Sequence, residues 1–152
     1  TSFSRSLQII LRINLDGTKV LMSIKPIYVE KILSGEKKFE FRKTLCKRHV
    51  SSLVIYATSP IKKVIAEIQI SNILTGSPTE IWAKTSYAAG LCKIDFDQYF
   101  YNCITAVAYC LGAIQVFNPP LPLDHFGIKH APQSYCYLSE NQLSKDLLKL
   151  NN

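Results

Sequence analysis

Ser34-Gly35-Glu36-Lys37-Lys38-Phe39-Glu40-Phe41-Arg42-Lys43 is the stretch on which the reading of this chain turns. Phe39 and Phe41 alternate with Glu40 and Arg42, the period of a strand, so the aromatics enter a core and the Glu–Arg pair shares the opposite face. Upstream, Ile27 to Leu33 reads as a short helix. Pro26 suits its first turn and Gly35 its C-terminal stop, with Ile27, Ile32 and Leu33 towards the core. Lys37 falls in the turn between the two elements. A glycine-led turn thus delivers an ammonium, a carboxylate and a guanidinium to one small region. Spacing alone leaves two readings open: a solvated strand face carrying an ordinary ion pair, or a cluster that faces a ligand.

Working outward, Leu7, Ile9, Leu11, Ile13 and Leu15 alternate, Asp16-Gly17 follows, and Val20, Met22 and Ile24 alternate again, which predicts a hairpin. Beyond the motif a basic loop, Lys43 to His49, leads to a buried strand at Leu53–Thr58 that ends at Ser59-Pro60. In the next strand Val64, Ala66, Ile68 and Ile70 form one face, and Ile65, Glu67 and Gln69 the other. Glu67 is either a solvent-facing residue or a carboxylate aimed into a cleft. Ser77-Pro78-Thr79-Glu80 is a capping box with proline at the first helical position. Phe96, Tyr99, Phe100 and Cys103 lie at helical spacing and read as core rather than as a base-stacking platform. Thr105 to Phe117 predicts a long strand with a bulge at Gly112, terminated by Asn118-Pro119-Pro120. Ser134 to Leu138 predicts a last short strand, and Glu140 to Leu150 an amphipathic helix using Leu143, Leu147 and Leu150. The order of elements lacks regular βαβ alternation. It predicts an α+β fold, a small mixed β-barrel with short peripheral helices. The expected organisation is an N-terminal strand extension over 1–19, one domain over 20–138 and a helical tail over 139–152.

Charge is distributed unevenly. Of 18 basic and 11 acidic residues, ten basic and three acidic ones fall between Lys25 and Lys63, so this window carries the whole net charge of +7. Such an excess suits a polyanion, because each neutralised phosphate releases counterions. The alternative is a basic protein whose charges scatter in space. The five cysteines, Cys46, Cys92, Cys103, Cys110 and Cys136, have no CxxC spacing, and the three histidines form no metal-binding motif. No metal and no cofactor are therefore expected. With no secretory leader visible, the expected setting is the cytoplasm. No apolar run approaches the roughly 20 residues of a membrane span.

Gly35-x-Lys37-x-x-Glu40-x-Arg42 resembles the GxKxxExR signature of the ASCH domain family, in the PUA-like superfamily. The surroundings are similar too: Ile24-Lys25-Pro26 before the helix, Ile32-Leu33-Ser34-Gly35 at its end, then Val54-Ile55-Tyr56-Ala57 and Val64-Ile65-Ala66-Glu67-Ile68. The resemblance covers about residues 20 to 138. It implies a PUA-like β-barrel with a cleft lined by the motif, and binding of RNA or nucleotides. Some family members are hydrolases, either amidohydrolases of acetylated cytidine nucleosides or ribonucleases. In the amidohydrolase branch the motif lysine, a threonine and a downstream strand glutamate are catalytic. Lys37 matches the lysine, Glu67 the glutamate, and Glu40 occupies the threonine position.

The expected function is therefore an RNA- or nucleotide-binding domain in RNA metabolism or in the regulation of transcription or translation. The ligand-binding candidates are Lys25, Lys37, Lys38, Glu40, Arg42, Lys43, Lys47, Arg48, Lys62, Lys63 and Ser134. The Arg fork and Lys ammonium suit phosphate, and Glu40 suits a base edge or a ribose hydroxyl. The alternative is a metal-independent hydrolase, a ribonuclease or an amidohydrolase on a modified nucleoside, using Lys37 with Glu40 and Glu67 as an acid–base set. A third reading is a domain that binds protein partners through its N-terminal strand or C-terminal tail.

Overall fold

A computed structural model describes residues 17–138. The strands are β1 (Thr18–Ile24), β2 (Phe39–Arg42), β3 (Val50–Ala57), β4 (Lys63–Gly76), β5 (Ala106–Leu121) and β6 (Tyr135–Tyr137). The α-helices are α1 (Pro26–Ser34), α2 (Pro78–Thr85) and α3 (Lys93–Tyr99), with 3-10 turns at Ser86–Ala88 and Leu123–Phe126. The six strands form one sheet in the order β2-β5-β4-β3-β1-β6. The β1–β3 pair is parallel and the others are antiparallel. The predicted strand at Leu7–Leu15 and helix at Glu140–Leu150 lie outside the described residues.

Alternation along the strands sorts side chains between the two faces of this sheet. Val20, Met22 and Ile24 of β1, Leu53 and Ile55 of β3, and Val107 and Tyr109 of β5 pack together on the concave side. Leu21, Val54 and Tyr56 point the other way, under Phe126 and Leu138. Phe39 and Phe41 of β2 join Ala106 and Ala108 of β5 beneath Ile81, Phe96 and Phe100. Each large apolar side chain buried in this way stabilises the fold by about 1.5–3 kcal/mol. β1 is thus buried on both faces, where the alternation of Val20, Met22 and Ile24 indicated one.

Local signals place most element ends. Gly35 adopts φ 84°, the left-handed conformation that stops α1, and its N–H bonds Ile32 O at 3.1 Å. The buried residues of α1 are Val29 and Ile32; Ile27 and Leu33, expected in the core, are exposed. The α2 capping box is complete, with Glu80 N donating to Ser77 Oγ at 3.2 Å and Ser77 N to Glu80 Oε2 at 3.4 Å. At Gly112 the pairing slips: Ile68 faces Ile114 but Ile70 faces Leu111. A β-carbon on Gly112 would lie 3.1 Å from Gln69 O, so the bulge suits glycine. Asn118-Pro119-Pro120 does not end β5 as expected. Val116 still faces Ala66 and Leu121 faces Val64, so the intervening residues bulge out of the ladder, where proline has no donor to lose.

The bulged β4 and β5 curl the sheet until its two edges approach. Arg42, on edge strand β2, donates from Nη1 to Ser134 Oγ at 2.9 Å, just before β6. Its Nη2 donates to Ser23 O of β1 at 3.1 Å. The loop after β2 adds Cys46 N to Tyr109 Oη at 3.2 Å and Arg48 N to Tyr137 Oη at 3.3 Å. Among the described residues no helix is long and apolar enough to cross a membrane.

If Arg42 holds this seam, Arg42→Met lowers stability by about 3 kcal/mol, the scale for unpairing a buried charge. Ser134→Ala, which removes one acceptor, costs about 1 kcal/mol. Urea unfolding midpoints at constant m-value measure both; small and equal losses would show that the seam closes without Arg42.

Candidate functional site

The same alternation that buries Phe39 and Phe41 under the helices turns Glu40 and Arg42 to the concave side, beside their cross-strand partners Tyr109 and Val107. The bland reading of the motif predicted a solvated face. Instead Lys37 is 4% exposed and Glu40 8%. Lys37 Nζ lies 4.0 Å from Glu40 Oε2, and Arg42 Nη2 lies 3.4 Å from Glu40 Oε1. Two cations therefore share one carboxylate in a largely dehydrated setting.

Lys37 owes its position to a neighbouring loop. Lys38 N donates to Ala88 O, Lys37 Nζ to Ala89 O and Lys31 Nζ to Gly90 O, each at 2.9 Å. Three consecutive carbonyls are thus engaged by three lysines. Gly90 has φ 76°, and a β-carbon there would come within 2.5–2.9 Å of Lys37 Cβ, Cγ and Cδ. The lysine stem lies flat on this glycine. Its ammonium sits 4.6 Å from the ring centre of Phe41 and 5.5 Å from that of Tyr28. Burial pushes the Lys37 pKa below its ordinary 10.5; Glu40 opposes the shift, while Lys31 and Arg42 reinforce it.

The cluster opens on a cavity of about 480 Å³. Lys37, Glu40, Phe41 and Arg42 form one wall, Ser23, Ile24, Lys25 and Tyr28 another, and Leu91 with Asp95, Gln98 and Tyr99 of α3 a third. Burial raises the pKa of both tyrosines; for Tyr28, Asp95 adds to the effect. Arg42 Nε is buried without a hydrogen-bond partner among the described residues.

Of the residues expected from sequence, Lys25, Lys37, Glu40 and Arg42 meet at this cavity, and Ser134 supports it through Arg42. Lys43 stands at its margin, 5.1 Å from the ring centre of Tyr99. Lys38, Lys47, Arg48, Lys62 and Lys63 are exposed and do not line it. Arg48 instead stacks on Tyr137 at 4.6 Å. Glu67, expected as a third member of an acid–base set, does not join the cluster. It pairs with Lys19 at 2.7 Å and accepts from Ser52 Oγ at 3.4 Å. Its cross-strand partner is Val54, which packs on the convex side of the sheet, so alternation points Glu67 away from Glu40. Among the described residues no group of three His, Cys, Asp or Glu side chains could hold a metal ion.

Sequence reasoning missed Tyr28, Asp95, Gln98 and Tyr99 as wall residues. The spacing i, i+3, i+4 of Asp95, Gln98 and Tyr99 marks one helix face, but the periodicity of Phe96, Tyr99 and Phe100 places Tyr99 in the core. Phe96 and Phe100 are buried, whereas Tyr99 is 37% exposed.

No family model matches the chain. An ASCH domain-containing ribonuclease of Zymomonas mobilis is 29% identical over 135 residues, covering 86% of this chain and 90% of the relative. The crystal structure of an ASCH protein from Zymomonas mobilis has a TM-score of 0.76 at 28% identity, covering 87% of this chain and 94% of that one. Its serine-to-alanine variant has a TM-score of 0.78 at 28% identity, covering 89% and 97%. The chain thus resembles ASCH domain proteins in both sequence and fold. Its α+β architecture, a curled mixed sheet with short helices, matches those structures. Similarity of 28% over 103 residues also extends to ribosomal protein uL22 of Ureaplasma parvum, covering 68% of this chain and 33% of that protein.

The lowered Lys37 pKa carries a pH signature. The unfolded chain binds more protons at this site once pH exceeds the native pKa, so stability rises with pH through that value towards 10.5. Below the native pKa both states are protonated and Lys37 opposes folding by a constant amount. Lys37→Met removes this rise. The wild-type-minus-variant difference in urea midpoint, followed from pH 7 upward, should increase with pH; a flat or falling difference would count against the shift.

Proposed function

We propose that this ASCH domain protein binds RNA by seating a nucleotide in the Lys37–Glu40–Arg42 cavity. The observation that carries this reading is the convergence of Lys25, Lys37 and Arg42 on a cavity of about 480 Å³, a volume within the range of small-ligand sites. Arg42 is held by Ser134 and Ser23, so it acts as a fixed positive charge. Lys25, at the mouth, is exposed and free to follow a phosphate. Tyr28 and Tyr99 supply the aromatic walls on which RNA-binding sites stack unpaired bases. Lys43, Lys47, Arg48, Lys62 and Lys63 would extend contact along the flanking backbone, sequence-independently. The name of the Zymomonas mobilis relative, an ASCH domain-containing ribonuclease, supports RNA as the ligand class.

One observation favours a second reading, RNA cleavage. A lysine that burial moves towards neutrality can act as a general base. Neutral Lys37 would take the proton of a ribose 2′-hydroxyl as that oxygen attacks the adjacent phosphorus. The proton would then pass to the departing 5′-oxygen. Arg42 would face the charge that develops on the phosphorane, and Glu40 would stabilise the ammonium that forms when Lys37 takes up the proton. Glu67 has no part in this scheme.

Binding of single-stranded RNA should weaken as salt rises, with a log–log slope of about −0.7 for each phosphate neutralised. Lys25→Ala should make the slope shallower by about that amount; a slope near zero in the wild type would exclude the binding reading. For cleavage, Lys37→Ala should reduce turnover by about 10²-fold or more. Equal product from wild type and variant would assign the activity to a contaminant.

A further inference from the structure

The α3 wall has a chemistry of its own. Asp95, Gln98 and Tyr99 stand at i, i+3 and i+4 and line the cavity, while Phe96 on another face is buried in the core. Lys93 and Asp97 pair with each other at 2.7 Å on the exposed side. Among the described residues Asp95 has no ion-pair partner, and neither Asp95 nor Gln98 has a side-chain hydrogen bond, whereas Glu40 is shared between two cations. The cavity is therefore bipolar. Lys25, Lys37 and Arg42 suit a phosphate at one end, and at the other a free carboxylate and a free carboxamide await a neutral polar edge.

We propose, resting on the nucleotide-binding reading above, that Asp95 and Gln98 read the base and select guanine. A carboxylate offers two adjacent acceptors and no donor. Guanine alone among the four RNA bases presents two adjacent donors on its Watson–Crick edge, N1–H and the N2 amine. It completes that edge with the O6 acceptor, which the Gln98 amide N–H matches. Adenine and cytosine each place a ring acceptor beside their amine, and uracil flanks its single N–H with two carbonyls. Against each of these, Asp95 meets an acceptor or loses a bond. Tyr99, one residue beyond Gln98, offers its ring to the face of the same base, the usual way a splayed base is held.

The test is the affinity of the full chain for the four 5′-monophosphates GMP, AMP, CMP and UMP, with IMP, which lacks the N2 amine, as a fifth probe. GMP should bind about tenfold or more tightly than the other three, and IMP should fall between. In Asp95→Asn, whose exposed position leaves the fold intact by circular dichroism, the preference should shrink to about twofold, because GMP binds more weakly while AMP, freed from the carboxylate facing its N1 acceptor, binds no more weakly than to the wild type. Gln98→Leu should weaken GMP and IMP alike. Equal affinity for all four, or a guanine preference that survives Asp95→Asn, would overturn base selection and leave nucleotide binding standing. Failure of every nucleotide to bind would overturn both.

Discussion

The guanidinium of Arg42 ties the two ends of the sheet together, and the rest of the structure is arranged around that contact. β2 and β6 are the outermost strands, so without curling they would stand far apart. Bulges in β4 and β5 bend the long central strands, and Arg42 then reaches both Ser23 on β1 and Ser134 beside β6. A hydrocarbon side chain could fill this space but could not satisfy Ser23 O or oppose Glu40. The desolvation of three charged groups is offset only because their partners are already in place. The closure of the fold and the electrostatics of the site are thus one interaction. Whatever keeps the sheet curled also keeps a positive charge aimed at the cavity without reorganisation.

The second constraint is the loop at Ala88–Gly90. Its carbonyls cannot be met by secondary structure, and lysines from α1 and the following turn meet them instead. Lys37 gains one strong acceptor, Ala89 O, and lies too far from Glu40 for a hydrogen bond. A longer-range attraction of this kind only partly opposes the penalty of burial, which is why its pKa falls rather than rises. Gly90 makes the arrangement possible, because any side chain there would displace the lysine stem. A residue remote from the motif in sequence therefore leaves the room in which its lysine is seated.

What was legible in the sequence was local. Gly35 needed a left-handed φ, Ser77 and Glu80 met across one turn, Gly112 marked a bulge, and Phe39 alternated with Glu40; each signal depends on residues within a few positions of one another. The resemblance of Gly35-x-Lys37-x-x-Glu40-x-Arg42 to the ASCH signature then supplied the fold that these local signals were consistent with. Glu67 was illegible for a definite reason. Alternation says that it opposes Ala66 and Ile68, but only the pairing of Glu67 with Val54 decides which face is concave. The same limit hid the α3 wall, since the face of Asp95, Gln98 and Tyr99 gains meaning only from the cavity beside it. It also misplaced Ile27 and Leu33, because the side of α1 that meets the sheet carries Val29 and Ile32. Asn118-Pro119-Pro120 suggested an end because proline ends ladders, yet a ladder can resume after a bulge.

The charge sum at the site leads to the last step. Lys37 and Arg42 against Glu40 leave an excess of one positive charge where little water reaches. Lys25 adds to it at the mouth, and Asp95 lies on the opposite wall. A purely structural ion pair would be closest to neutral, since an uncompensated charge is costly in a low-dielectric setting. Two responses to that cost are visible: the pKa of Lys37 falls, and the cluster remains open to the cavity rather than sealed by apolar side chains. The first reduces the excess from within, and the second leaves what remains to be cancelled by an anion small enough to enter. A solvated strand face needs neither feature, and the position of Glu40 between two cations is what distinguishes this site from such a face.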